Sequence, residues 1–198
     1  MARPRLHPDA APLDAALSLF LNGGAAAVTT AAISDLSGAP TGSLYHRFGS
    51  RQDLLTELWL RTVRRFQTGL LAACDASPPG IPRALTAAGW VLTFLRDHPD
   101  DARLLLQCRR EELLGSPTLT DRHVTQLATL NEPITTLIRQ LSREIFGSAA
   151  ARAIEATTLA VVDLPYAAAR RHLRAGTTPH RPQLLAAVHT LLTAGDPP

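Results

Sequence analysis

Apolar positions recur at helical spacing through most of the chain, and no stretch of useful length alternates as a strand would. Leu13, Ala16, Leu17, Phe20 and Leu21 form one stripe, which predicts a helix near residues 12–22, ended by Asn22-Gly23. Thr30 is placed to cap a second helix, in which Ile33 and Leu36 are expected to face inward. Leu44 and Phe48 lie one helical turn apart and point the same way, which predicts a very short third helix beyond the Gly38-Ala39-Pro40 turn. Ser50-Arg51-Gln52-Asp53 has the Ser-x-x-acid form of an N-terminal cap. The helix it opens carries Leu55, Leu58, Trp59, Thr62 and Phe66 and runs over 51–73.

The Pro and Gly residues between Asp75 and Pro82 predict a loop. A helix over 83–98 follows and is stopped by Pro99. The next opens on Asp100-Asp101, which suit the positive end of a helix dipole, and ends at Gly115-Ser116-Pro117. Three more are expected: over 118–146, kinked or split at Pro133; over 149–175, kinked at Pro165; and over 182–194. The expected fold class is all-α, with about nine helices.

The polar positions between Ser37 and Arg51 carry the chemistry. With Leu44 and Phe48 turned inward, Thr41, Ser43, Tyr45 and Arg47 fall on other faces. Small hydroxyls at the start of a helix, followed by an aromatic hydroxyl, suit a helix that enters a groove of DNA end-on. The run of pieces is Ala16 and Phe20 before Gly23-Gly24, Thr29-Thr30 before Ile33, Gly38, Gly42-Ser43-Leu44-Tyr45-His46-x-Phe48, and Arg51-x-x-Leu54-Leu55. In this order and spacing, residues 13–66 resemble the DNA-binding domain of the TetR-type (tetracycline-repressor) family of transcriptional regulators. Ser34 and Ser37 stand where that family usually has Ala, and Arg51 where it usually has Lys; each keeps size or charge.

The resemblance covers about the first third of the chain. It implies a helix-turn-helix DNA-binding domain over 1–50, in which three helices form the reading head. A helical effector-binding and dimerisation domain over 51–198 follows, with residues 51–73 linking the two. It further implies a homodimer on a palindromic, double-stranded DNA operator, repression, and release by a small-molecule effector of unknown identity. Thr30 and Arg51, at helix N-termini, are expected at phosphates. Tyr45 and His46 are expected at phosphate or sugar. Thr41, Ser43 and the bare backbone of Gly42 are expected at base edges. The alternative is a helical ligand-binding or adaptor protein that has lost DNA binding. Arg3, Arg5 and His7 could form an arm onto DNA or a plain terminus.

The last two expected helices carry more apolar residues than one buried face needs. Leu159, Val162, Leu184, Val188 and Leu191 are the candidates for a dimer interface, against the alternative that they close the protomer's own core. Trp59, Phe66, Trp90, Phe94, Cys108 and Tyr166 are the candidates for an apolar effector pocket. His123 and Asn131 could donate to a ligand or face water. Asp163 is expected on an exposed face of its helix.

Composition changes this picture little. All 20 basic residues are Arg, and the net charge of +3 with a pI near 9.5 permits nucleic-acid binding without demonstrating it. Cys74 and Cys108 have no metal-type spacing and suggest a reducing compartment. No signal peptide and no membrane-spanning run is evident, so a soluble, cytoplasmic protein is expected. The His residues form no ligand set, and no nucleophile elbow or phosphate-cradling loop occurs. The chain is therefore read as non-enzymatic, with no cofactor and no metal.

Overall fold

The computed structural model describes residues 10–107 and 120–194. Cys108, Arg3, Arg5, His7 and the expected helix end at Gly115-Ser116-Pro117 lie outside them. Every regular element among the described residues is a helix. The chain divides into two compact units, residues 1–63 with 103–129 and residues 64–102 with 130–198.

The first unit opens with α1 (Ala10–Ala27), whose backbone breaks at Gly24 (φ 68°) rather than at Gly23. Helix α2 (Thr30–Ser37) is capped by Thr29, not by Thr30: the Thr29 hydroxyl accepts from Ala32 N–H at 3.1 Å. Of two adjacent threonines, the one with extended backbone takes the cap. This leaves Thr30 as the first helical residue. Gly38, at φ 71°, ends α2 and donates its N–H to Ser34. Helix α3 (Thr41–Phe48) follows directly. Helix α4 (Arg51–Asp75) starts as expected, with Ser50 and Asp53 in a reciprocal cap: Ser50 Oγ donates to Asp53 Oδ2 at 2.6 Å, and Asp53 N–H donates to Ser50 Oγ at 3.0 Å. Leu13, Ala16, Leu17, Ile33, Leu44, Leu54 and Leu58 are buried in this unit. Leu36 is not inward but 56% exposed.

Helix α4 ends in the second unit. Helix α5 (Ile81–Asp97) is packed there against the later helices, and α6 (Pro99–Gln107) begins after it. Pro133 does split the expected 118–146 helix. Helix α7 (Asp121–Thr129) stops before it, and α8 (Glu132–Phe146) starts with Pro133 in its first turn, where a missing N–H costs nothing. Helix α9 comprises Ala151–Thr158, a π-helical turn over Leu159–Asp163, and Leu164–Ala175. Pro165 explains the wide turn: its ring would crowd the carbonyl one turn back, so the helix widens and Leu164 N–H reaches Leu159 O instead. Helix α10 (Arg181–Thr193) completes the unit.

The core of this unit gathers Leu70, Ala84, Ala88, Leu141, Ala160 and Val188. The indole of Trp90 lies where a Cβ on residue 69 would stand only 2.2 Å away, so Gly69 is required for the packing of α5 on α4. Trp90 Nε1–H donates to Phe66 O at 3.0 Å. The Asp75–Pro82 loop is tied to α8 by an Arg83–Glu144 ion pair and by Gly80 N–H donating to Glu144 at 2.8 Å. Cys74 is buried in the same core; burial pushes its thiol up to about 11, which removes it as a nucleophile at neutral pH.

Two of the expected interface residues prove to be core. Val188 is 0% and Leu184 8% exposed within the protomer, because Leu184, Val188 and Leu192 form the stripe by which α10 closes its own unit. Leu159, Val162 and Leu191 remain on the surface at 49%, 37% and 40%.

Candidate functional site

Helix α3 is held by one side. Leu44, 1% exposed, plugs it into the first unit, while Thr41, Gly42, Tyr45, His46 and Arg47 are exposed and Ser43 is half-buried. The Tyr45 hydroxyl lies 3.3 Å from Thr30 Oγ1, so two residues expected at DNA from different helices share one polar edge. That edge sits at the N-terminus of α2, where the first backbone N–H groups have no intrahelical partner.

Gly42 has no internal reason to be glycine. Its backbone is helical, and a Cβ built there would meet nothing within 4 Å. Glycine weakens a helix relative to alanine. A glycine kept on an open face suits a surface where another molecule comes close to the backbone.

Arg51 is placed otherwise than its expected role suggests. Its guanidinium donates to the carbonyls of Ala25 and Val28, across the turn between α1 and α2. The Ala25 carbonyl also accepts from Val28 N–H at 3.3 Å, and Arg51 thereby fixes the turn before α2 against the start of α4.

Behind the cap of α4 lies a feature that spacing could not disclose. His123 of α7 is 4% exposed, with Nδ1 2.9 Å from Asp53 and Nε2 3.1 Å from Glu57. Both ring nitrogens thus face carboxylate oxygens, and Nδ1 also lies 3.1 Å from the Thr120 hydroxyl. Neither a ligand donor nor a water-facing residue, His123 ties α7 to the helix that supports the reading head. Asn131 offers its carbonyl to Thr135 at the start of α8, and Asp163 is exposed as expected.

In the second unit Phe66, Trp90 and Phe94 form an edge-to-face cluster, with Phe66 and Phe94 centroids 5.1 Å apart. Beside it lies an apolar cavity of about 130 Å³, lined by Phe66 and Tyr166 among the expected pocket residues, by Val162 among the expected interface residues, and by Val91, Ile134, Leu137 and Val161 among those not singled out. Trp90 and Phe94 pack behind Phe66. Trp59 is buried and belongs to the first unit. The additional aliphatic residues carry no signal in sequence that separates a cavity wall from ordinary core. The π-helical turn supplies Val161 and Val162 to the wall, and such turns recur at functional sites.

Residues 13–58 match the family of bacterial regulatory proteins, tetR family. No curated protein matches the sequence at a significant level. Several solved structures share the fold. One is a protein of Shewanella sp. PV-4 assigned to the tetR family of transcription regulators, with 24% identity and a TM-score of 0.70 over 94% of this chain and 96% of that one. Another is a protein of Pseudomonas aeruginosa PAO1 assigned as a transcriptional regulator, with 18% identity and a TM-score of 0.76 over 96% and 92%. A third is the transcriptional regulator FadR of Bacillus subtilis, solved with stearoyl-CoA, with 13% identity and a TM-score of 0.71 over 94% and 98%. Residues 13–58 thus match the tetR family of bacterial regulatory proteins, and the chain shares the fold of these solved regulators over nearly its whole length.

Proposed function

We propose that the chain is a cytoplasmic repressor that binds a palindromic operator as a homodimer and releases it when a small apolar or amphipathic effector binds. The observation that carries the DNA-binding part is the exposed polar face of α3, joined through Tyr45 to Thr30 at the N-terminus of α2. Thr30 and the first N–H groups of α2 hold a phosphate, with Tyr45 and His46 at phosphate or sugar. Thr41, Ser43 and the backbone at Gly42 approach base edges. Arg51 acts chiefly by fixing α2, with any phosphate contact secondary to that. Dimerisation uses the surface residues Leu159, Val162 and Leu191 of α9 and α10. The effector enters the cavity beside Phe66 and Tyr166. Its binding favours a conformation in which two recognition helices no longer match successive major grooves, which lie roughly 34 Å apart.

A gel shift of the purified protein on its own upstream DNA tests this. Thr41→Ala and Ser43→Ala are expected to change which bases are tolerated, at about 1–3 kcal/mol per lost base contact. Tyr45→Phe is expected to cost less than Tyr45→Ala. If these variants fold and bind the operator as the parent does, the reading head is elsewhere and an adaptor without DNA binding becomes the better reading.

A further inference from the structure

The cavity beside Phe66 is too small to hold a whole effector. Small-molecule sites run to roughly 300–1,000 Å³, and this one is about 130 Å³. Only an apolar segment of a ligand fits, and the remainder must lie outside. Tyr166 lines this cavity and also a second, open groove of about 550 Å³ along α9. The other walls of that groove are Ala167, Arg170, Arg171, Arg174 and Ala175.

The arginines of the groove are not accounted for among the described residues. Among the described residues none of the three pairs with a carboxylate. Arg170 and Arg174, and Arg171 and Arg174, stand at helical spacings where like charges destabilise a helix. Proximity to the helix C-terminus accounts for Arg174. It does not account for Arg170, whose Nε is buried and has no hydrogen-bond partner among the described residues. A buried donor without an acceptor is costly and marks a missing partner. The guanidinium fork is shaped for carboxylate or phosphate oxygens.

We propose that the effector is an anionic amphiphile, with its apolar end in the cavity between α4, α5, α8 and α9 and its anionic head on Arg170, Arg171 and Arg174, past Tyr166. This rests on the reading of the cavity as the effector site and assigns the ligand's chemical class. The head is a carboxylate or a phosphate, and the small alanines at 167 and 175 leave it room. In helix geometry the arginines lie about 6 to 12 Å along the axis from Tyr166, so the head and the tail of one molecule can reach both places.

The test is calorimetric titration of the full chain with dodecanoate, dodecyl phosphate and dodecanol, each below its micelle concentration. Both anions are expected to bind at least tenfold more tightly than the alcohol. The triple change Arg170→Gln, Arg171→Gln, Arg174→Gln is expected to abolish that preference and leave dodecanol affinity in place. Val91→Trp, which narrows the cavity away from the proposed interface, is expected to weaken all three. Tighter binding of the phosphate than of the carboxylate identifies a phosphate head, and the reverse a carboxylate head. Dodecanol binding as tightly as the anions, or a preference that survives the triple change, overturns the assignment of the head while the apolar cavity stands. A triple variant that loses its dimer but keeps the preference assigns the arginines to an interface between copies and also overturns it. If none of the three probes binds, the cavity is not an effector site and the underlying reading fails with it.

Discussion

Gly42→Ala separates the two demands on α3, because it should move stability and DNA affinity in opposite directions. On the protein side the substitution carries no steric cost: the new Cβ meets nothing within 4 Å, and the backbone there is already helical. Alanine gains by lowering the conformational entropy of the unfolded chain. In the first turn of a helix this is worth about 0.5 kcal/mol, the low end of the glycine-to-alanine range. For a chain of this length that corresponds to roughly 1–2 °C in Tm. On the DNA side the methyl group fills the space through which the backbone approaches a base edge. Losing one close contact costs about 1–3 kcal/mol, or roughly 5- to 140-fold in operator affinity. Differential scanning fluorimetry and fluorescence anisotropy on one operator duplex read the two quantities from the same preparation. A variant that gains stability and keeps full affinity would show that the open space over Gly42 faces solvent in the complex. A variant that loses stability would show that the glycine serves the fold.

The other expectations concern contacts the structure makes explicit. Leu191→Arg, on the surface of α10, should give monomers by light scattering with the Tm nearly unchanged, whereas Val188→Asp should unfold the protomer, since Val188 is fully buried. His123→Ala should destabilise the protein by about 1–3 kcal/mol in urea titration, because it removes a buried group that hydrogen-bonds both Asp53 and Glu57; a loss below about 0.5 kcal/mol would mean that the imidazole bridges nothing of consequence. Arg51→Ala should lower stability by about 1–3 kcal/mol, because the Val28 carbonyl loses its donor and the Ala25 carbonyl keeps only the Val28 N–H. If Arg51 also touches phosphate, the same change flattens the salt dependence of binding by roughly one unit of slope. Burial pushes the Glu144 carboxyl up, but Gly80 N–H, Gln140 and Arg83 together hold it below its ordinary value of 4.5. Its contribution is therefore present above that value and lost as pH falls through the lowered one; Glu144→Gln should flatten the stability profile on the acid side of 4.5, as followed by denaturant titration.

The reading head was legible because its determinants are local. Leu44 against Phe48, Gly38 at a positive φ and the Ser50–Asp53 cap each act within one or two helical turns. Where two neighbours had equal chemistry, the sequence could not choose: Thr29 and Thr30 are both good caps, and backbone geometry decides between them. The His123 bridge was out of reach for the opposite reason. Its partners lie 70 and 66 residues away, and nothing in the local pattern around His123 separates a buried bridge from a surface histidine. The π-helical turn follows from Pro165, but a proline inside a helix announces a disturbance and not the form it takes.

Helix α10 shows where periodicity stops being informative. Leu184, Val188, Leu191 and Leu192 are all aliphatic, and all lie at spacings that a buried stripe allows. A stripe says that one face must be covered; it does not say whether the cover comes from the same chain or from another. The structure resolves this for each residue in turn. Leu184, Val188 and Leu192 are used up by the protomer, and Leu191 is not. The same holds on α9, where Ala160 and Val161 are buried while Leu159 and Val162 are exposed. What is left over, Leu159, Val162 and Leu191, is the set whose burial the protomer does not explain. A single exposed leucine needs no explanation, but exposed aliphatic residues on both of the last two helices of one unit are the place where a second copy would recover buried area. A second copy would therefore meet Leu159, Val162 and Leu191, which the fold leaves uncovered, and not Leu184 or Val188, which it buries.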